Sequence, residues 1–189
     1  MANWSPNLIL IDADYIDYVA FDFIVNFERM LGRRIPEADL CHWLNCIALD
    51  GGIRQGDNEI QAVFIHSKEK AKLNHFVPAG FETDLNGKAF KDNIGEFALL
   101  SYPVEKVVSA ADFFVESLET ALKAKEVERI LVVGDMDAYG DRVKNAVIKA
   151  EGKDITLFSM QPLTGRGFAQ EILGYSLMSA LGIRSDELG

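Results

Sequence analysis

Ile130-Leu131-Val132-Val133 is an unbroken apolar run, rich in β-branched residues, that stops at Gly134 and Asp135. Such a run reads as a strand buried on both faces, the form a strand takes in a parallel sheet covered by helices. Asp135, Asp137 and Asp141 therefore sit just past a strand's carboxyl end, the edge at which open α/β sheets bind ligands. Three carboxylates in seven residues repel one another unless water, hydrogen bonds or a cation offsets the repulsion. Two readings follow: a divalent-metal site, or an acidic turn capping the next helix, since Asp is a favoured cap residue.

The same pattern occurs near the start of the chain, where the apolar run Leu8 to Ile11 is stopped by Asp12, Ala13 and Asp14. From Ile16, the residues Val19, Phe23, Ile24, Phe27, Met30 and Leu31 recur at spacings of three and four, one face of a helix that Gly32 ends. Pro36-Glu37-Ala38-Asp39 has the composition of a helical first turn and predicts a second helix running to Leu49. Ile60 to Ile65 predicts a strand with His66 and Ser67 at its exit, and Lys68 to Phe76 has helical composition. Between Phe81 and Tyr102 the pattern changes. Asn86-Gly87 is a hairpin signal, and an antiparallel excursion with an exposed polar flap is expected there.

Ser109 starts a helix carrying Phe113, Phe114, Leu118 and Leu122 on its inner face. Val143, Val147 and Ile148 mark another, closed by Gly152, and Ile155 to Met160 is the last strand. A helix from about Phe168 to Leu181 follows, and the tail from Gly182 is expected to be loose. Strands alternate with helices, which implies an α/β three-layer sandwich around a mainly parallel sheet. The 189 residues suit a single domain with its core at about residues 7–160.

Net charge is −10, which argues against a broad, sequence-independent grip on nucleic acid, because that rests on Lys and Arg. It leaves room for a small site in which a metal ion supplies the positive charge. The apolar run at Leu8 to Ile11 is too short for a signal peptide or a membrane span, so a cytoplasmic protein without a membrane partner is expected. Cys41 and Cys46, five apart, lack metal-finger spacing and read as buried free thiols. Phe23 and Phe27 are core-like, whereas Phe21 lies off their stripe; an exposed remainder of this helix could form a homodimer surface.

In such a sheet Asp12 and Asp135 leave different strands at one edge, and Asp112 opens a helix that begins near it. Hard cations such as Mg²⁺ or Mn²⁺ take oxygen ligands, with water completing the shell. A metal-bound water beside a phosphodiester is then a nucleophile. On this reading Asp12, Asp112 and Asp135 hold the ion, with Asp137 and Asp141 as additional or outer ligands.

The order of strand-Asp12, Lys106 before Asp112 at a helix start, Val133-Gly134-Asp135-Met136-Asp137, and Gly152-Lys153-Asp154-Ile155 entering a strand resembles the NYN branch of the PIN-like nuclease fold. The resemblance covers Leu8 to about Met160 and is strongest from Asp112 onward. It implies a metal-dependent ribonuclease acting on RNA phosphodiesters, with Asp12, Asp112, Asp135 and Asp137 as the catalytic and metal set. The chain departs from the family where an aromatic usually follows the second acid: Ala138 stands there and Tyr139 comes one later. Asp14, Tyr15, Ser67, Lys106 and Arg166 are the expected substrate contacts.

A rival reading comes from Asp12-Ala13-Asp14, which also looks like the opening of haloacid-dehalogenase-type phosphatases, where the first Asp attacks phosphorus and the second is acid and base. That family needs a tight turn and a small flap directly after this motif. A third is a PIN-like binding module without catalysis.

Overall fold

The computed structural model describes residues 3–105 and 109–189. Its centre is a seven-stranded sheet. In chain order the elements are β1 (Asn7–Asp12), α1 (Ala13–Leu31), β2 (Ala38–Asp39), α2 (Leu40–Asp50), β3 (Asn58–Ser67), β4 (Phe76–Val77), a π-helical turn at Phe81–Leu85, β5 (Ala89–Lys91), β6 (Gly95–Val104), α3 (Ala110–Lys123), β7 (Arg129–Val133), α4 (Met136–Ile148), β8 (Asp154–Ser159), β9 (Ala169–Ile172), α5 (Leu173–Ala180) and a 3₁₀ turn at Ser185–Leu188. The sheet order is β5-β6-β3-β1-β7-β8-β9. Every pairing is parallel except that of edge strand β5 with β6.

The parallel strands thus run third, second, first, fourth, fifth, sixth across the sheet. Chain order reverses between β1 and β7, and the connections on either side depart to opposite ends of the sheet. That reversal opens a crevice at the strands' carboxyl ends.

Alternation along the strands builds a core on each face. Ile9, Ile11, Leu131, Val133 and Phe158 pack with α1, α2 and α5, where Trp43, Leu44 and Leu177 are buried. Leu8, Leu10, Ile130, Val132 and Leu157 pack with Phe114, Leu118, Val143 and Val147 of α3 and α4. Three layers result, as alternation of strands and helices requires. Gly32 ends α1 in the left-handed conformation at φ 66°, its N–H donating to the Glu28 carbonyl, which glycine adopts without steric cost.

Five sequence expectations change. The second helix starts at Leu40 with Asp39 as its cap, because Ala38 and Asp39 pair in parallel with Phe76 and Val77. The stretch from Lys68 to Phe76 is not helical: the buried Asp17 carboxylate accepts the N–H groups of Asn74 and His75, both at 2.9 Å, which holds them in a bend just before β4. The hairpin exists, but it joins β5 to β6 through Asp92–Ile94, and Asn86-Gly87 instead ends the π-helical turn. Phe90 of β5 stacks on Phe97 at 4.6 Å, so this segment is a paired sheet edge and not a flap. Finally, Ala169–Ile172 forms β9 before the last helix, and the tail is anchored. Arg33 Nε donates to Glu187 Oε1 at 2.7 Å and Arg33 Nη2 to Glu187 Oε2 at 3.0 Å.

Candidate functional site

The crevice between β1 and β7 is set by two acids with the same local role. Asp12 caps α1, its Oδ1 accepting the Tyr15 N–H at 3.1 Å. Asp135 caps α4, its Oδ1 accepting the Ala138 N–H at 3.1 Å. Both helix N-termini therefore point at the sheet's switch point, and their dipoles favour negative charge there. The capping reading holds for both residues, and the two acids also lie at one edge, as their strand positions imply.

Tyr139 joins them. Its hydroxyl donates to Asp12 Oδ2 at 2.6 Å and accepts the Asp135 backbone N–H at 3.0 Å. Backbone angles of φ −136° and ψ 20° at Tyr139 break the helical geometry of α4 at this point. Gly134 makes the room: a Cβ there would lie 2.6 Å from the Tyr139 hydroxyl and 3.1 Å from the Phe114 ring. Sequence reasoning assigned Tyr139 no role. Its position four after Asp135, in a chain whose Gly134 leaves space over the strand end, was the available signal.

Electrostatics follow from this packing. Burial pushes the Asp12 carboxyl above its ordinary range; the Tyr139 hydroxyl and the Tyr15 N–H oppose that rise, and the charges of Asp14 and Asp135 add to it. Burial pushes the Tyr15 phenol up to about 12, with Asp135, Asp137 and Asp12 contributing. Burial beside Asp12 also raises the Tyr139 phenol, so its proton stays on the hydroxyl. Asp12, Asp14, Asp135, Asp137 and Tyr15 therefore share one electrostatic neighbourhood.

The other expected site residues fall elsewhere or engage one another. Asp112 forms an ion pair with Arg142, Nη1 to Oδ1 at 2.8 Å, and its charge is not among those acting on Asp12. Asp14 Oδ2 accepts the Ser67 N–H at 3.0 Å, with Lys70 Nζ 3.8 Å from Oδ1, so two expected substrate contacts tie α1 to the exit of β3. Asp137 and Asp141 are exposed on α4, and Arg166 is exposed on the loop before β9. Lys106 lies outside the described residues. The thiols of Cys41 and Cys46 are free and only partly buried.

Among the described residues no group of three or more His, Cys, Asp or Glu side chains is arranged to hold a metal ion. Asp12 and Asp135 provide hard oxygen donors of the kind Mg²⁺ or Mn²⁺ takes, but Asp12 already receives hydrogen bonds at both oxygens. Two carboxylates do not enclose an ion; an ion such as Mg²⁺ held by so few protein ligands keeps several of its waters. Beside it Tyr15, Asp137, Ser159 and Gln161 help line a cleft of about 50 Å³, room for a water or two and not for a nucleotide. A substrate would lie across the edge rather than inside it.

The phosphatase reading requires a flap after Asp12, and α1 begins at Ala13 without one. Fold and site together define a doubly wound α/β protein with an acidic switch point closed by a tyrosine. The chain belongs to a family of unknown function, DUF6621, whose model matches residues 1–188. Neither a curated protein nor a solved structure matches it. Among the described residues no helix is long and apolar enough to cross a membrane.

Proposed function

We propose that the crevice at Asp12 and Asp135 hydrolyses RNA phosphodiesters with Mg²⁺ or Mn²⁺, on a scaffold resembling the PIN-like nucleases. One observation carries the reading: the Tyr139 hydroxyl ties the Asp12 carboxylate to the Asp135 backbone at the reversal of the sheet. Asp12 and Asp135 would hold the hydrated ion, with the exposed Asp137 outside its first shell; Asp112 drops out of the set because Arg142 neutralises it. The ion, when bound, supplies charge neutralisation and an activated water to a phosphodiester.

The chain's own contribution is positioning. The capping N–H groups of Tyr15 and Ala138 orient the two carboxylates, and Tyr139 keeps its proton and fixes Asp12 Oδ2. Single-stranded RNA incubated with the protein and Mg²⁺ or Mn²⁺ is expected to be cleaved, and Asp135→Asn to abolish cleavage while preserving the fold, since Asn caps a helix as well as Asp does. Unchanged cleavage in that variant would remove the site assignment.

A second reading has an observation of its own. Because both Asp12 oxygens are already engaged, the same edge suits a PIN-like binding module in which Asp12 and Tyr139 are a structural tie. That reading expects no cleavage and no metal-dependent rise in thermal stability.

A further inference from the structure

A polar triangle lies away from the acidic edge, where α2 meets α5. His42 and Cys46 are four residues apart on α2 and so share one helix face. Both reach Ser179 of α5. The Ser179 Oγ lies 2.8 Å from His42 Nε2, and the Cys46 Sγ lies 3.6 Å from the same nitrogen and 3.8 Å from Ser179 Oγ. One proton arrangement serves all three groups. The Cys46 thiol donates to Ser179 Oγ, and the Ser179 hydroxyl donates to the lone pair of His42 Nε2.

The thiol is thereby connected to an imidazole through a hydroxyl, which gives the sulfur a base within relay distance. Cys46 is partly exposed, and His42 and Ser179 are exposed. Cys41 is also partly exposed on the same helix, but among the described residues its thiol makes no hydrogen bond. The chain thus carries an internal control.

We propose that Cys46 is a site of reversible thiol–disulfide exchange with small neutral or cationic disulfides. The Cys46 sulfur attacks one sulfur of the disulfide, forming a new S–S bond as the original one breaks. The departing sulfur takes the bonding electron pair. The proton of Cys46 passes through Ser179 to His42 Nε2 and from there to the departing thiolate, leaving one mixed disulfide and one free thiol.

Burial holds the Cys46 thiol above its ordinary range; the Ser179 hydrogen bond works against this and the Asp50 charge adds to it. Little thiolate is therefore present beforehand, which is why an acceptor for the proton matters at the moment of attack. The charge of Asp50, with Glu171 acting on it, sets the preference between reagents. An anionic disulfide is repelled, whereas a cationic one is drawn in.

The intact protein treated with cystamine, a dicationic disulfide, and separately with oxidised glutathione, an anionic one, is read by peptide mass spectrometry over time. Cys46 is expected to form the mixed disulfide before Cys41, faster with cystamine, and to release it on reduction. His42→Gln and Ser179→Ala are each expected to slow Cys46 by about tenfold or more and to leave the slower rate at Cys41 unchanged. Equal rates at the two thiols, wild-type rates in both variants, or a parallel change at Cys41 and Cys46 would each overturn the assignment.

Discussion

The Tyr139 hydroxyl donates to Asp12 Oδ2 at 2.6 Å, spanning 127 residues of sequence to close the crevice at the point where the sheet reverses. A hydrogen bond to a charged, mostly buried acceptor contributes more than a neutral one. Tyr139→Phe is expected to cost about 2–3 kcal/mol, seen as a lower urea midpoint at unchanged slope. A loss below about half a kilocalorie would mean that water replaces the hydroxyl without penalty.

Gly134 is the reason that contact can form. Gly134→Ala places a methyl 2.6 Å from the Tyr139 oxygen, so the phenol must move and the Asp12 bond must lengthen. The expected cost is about 1–3 kcal/mol. Because both changes act on the same contact, the double variant with Tyr139→Phe should lose clearly less than the sum of the two. Additive losses in chemical denaturation would separate the glycine from the tyrosine.

Two carboxyl groups should make opposite contributions to the pH dependence of stability. Hydrogen bonds from Arg33 and from the Arg184 backbone hold Glu187 at about 2. Its contribution is therefore present above the ordinary glutamate range and is lost as pH falls toward about 2. Asp12 is shifted upward. Its folded form holds the proton more firmly than the unfolded chain does, so its contribution is complete in acid and is lost as pH rises through the raised value. The gap in denaturant midpoint between the wild type and Glu187→Gln should accordingly close in acid. The Asp12 carboxyl, followed by NMR, should titrate above the usual range, and higher again in Tyr139→Phe, where an opposing hydrogen bond is gone.

Asp17 should matter more than its place in the second turn of a helix suggests. Buried at 5% exposure, it accepts two backbone N–H groups of the segment before β4. Asp17→Ala leaves both donors unpaired at an expected cost of about 2–4 kcal/mol. The segment around Lys68 to His75 should then be cut first in limited proteolysis, while the wild type resists.

Local chemistry alone settled a good deal of this protein. The apolar runs at Leu8 and Ile130 fixed two strands, Gly32 fixed the end of a helix, and Asp12 and Asp135 were marked at strand exits because each apolar run stops at an acid. All of these depend on residues within a few positions of one another, where periodicity and capping act. The tertiary structure decided what near neighbours cannot encode. β9 carries almost no apolar signal because Ala169, Gln170 and Glu171 are exposed, and only pairing with β8 makes it a strand. The stretch from Lys68 to Phe76 had the composition of a helix, but the distant Asp17 took its backbone donors. Asp112 was expected at the metal, yet the long-range placement of Arg142 claimed it, and Tyr139 reached Asp12 for the same reason. Side-chain partners far apart in sequence are chosen by where the sheet sets their elements, so the acids could be read from the chain while their companions could not.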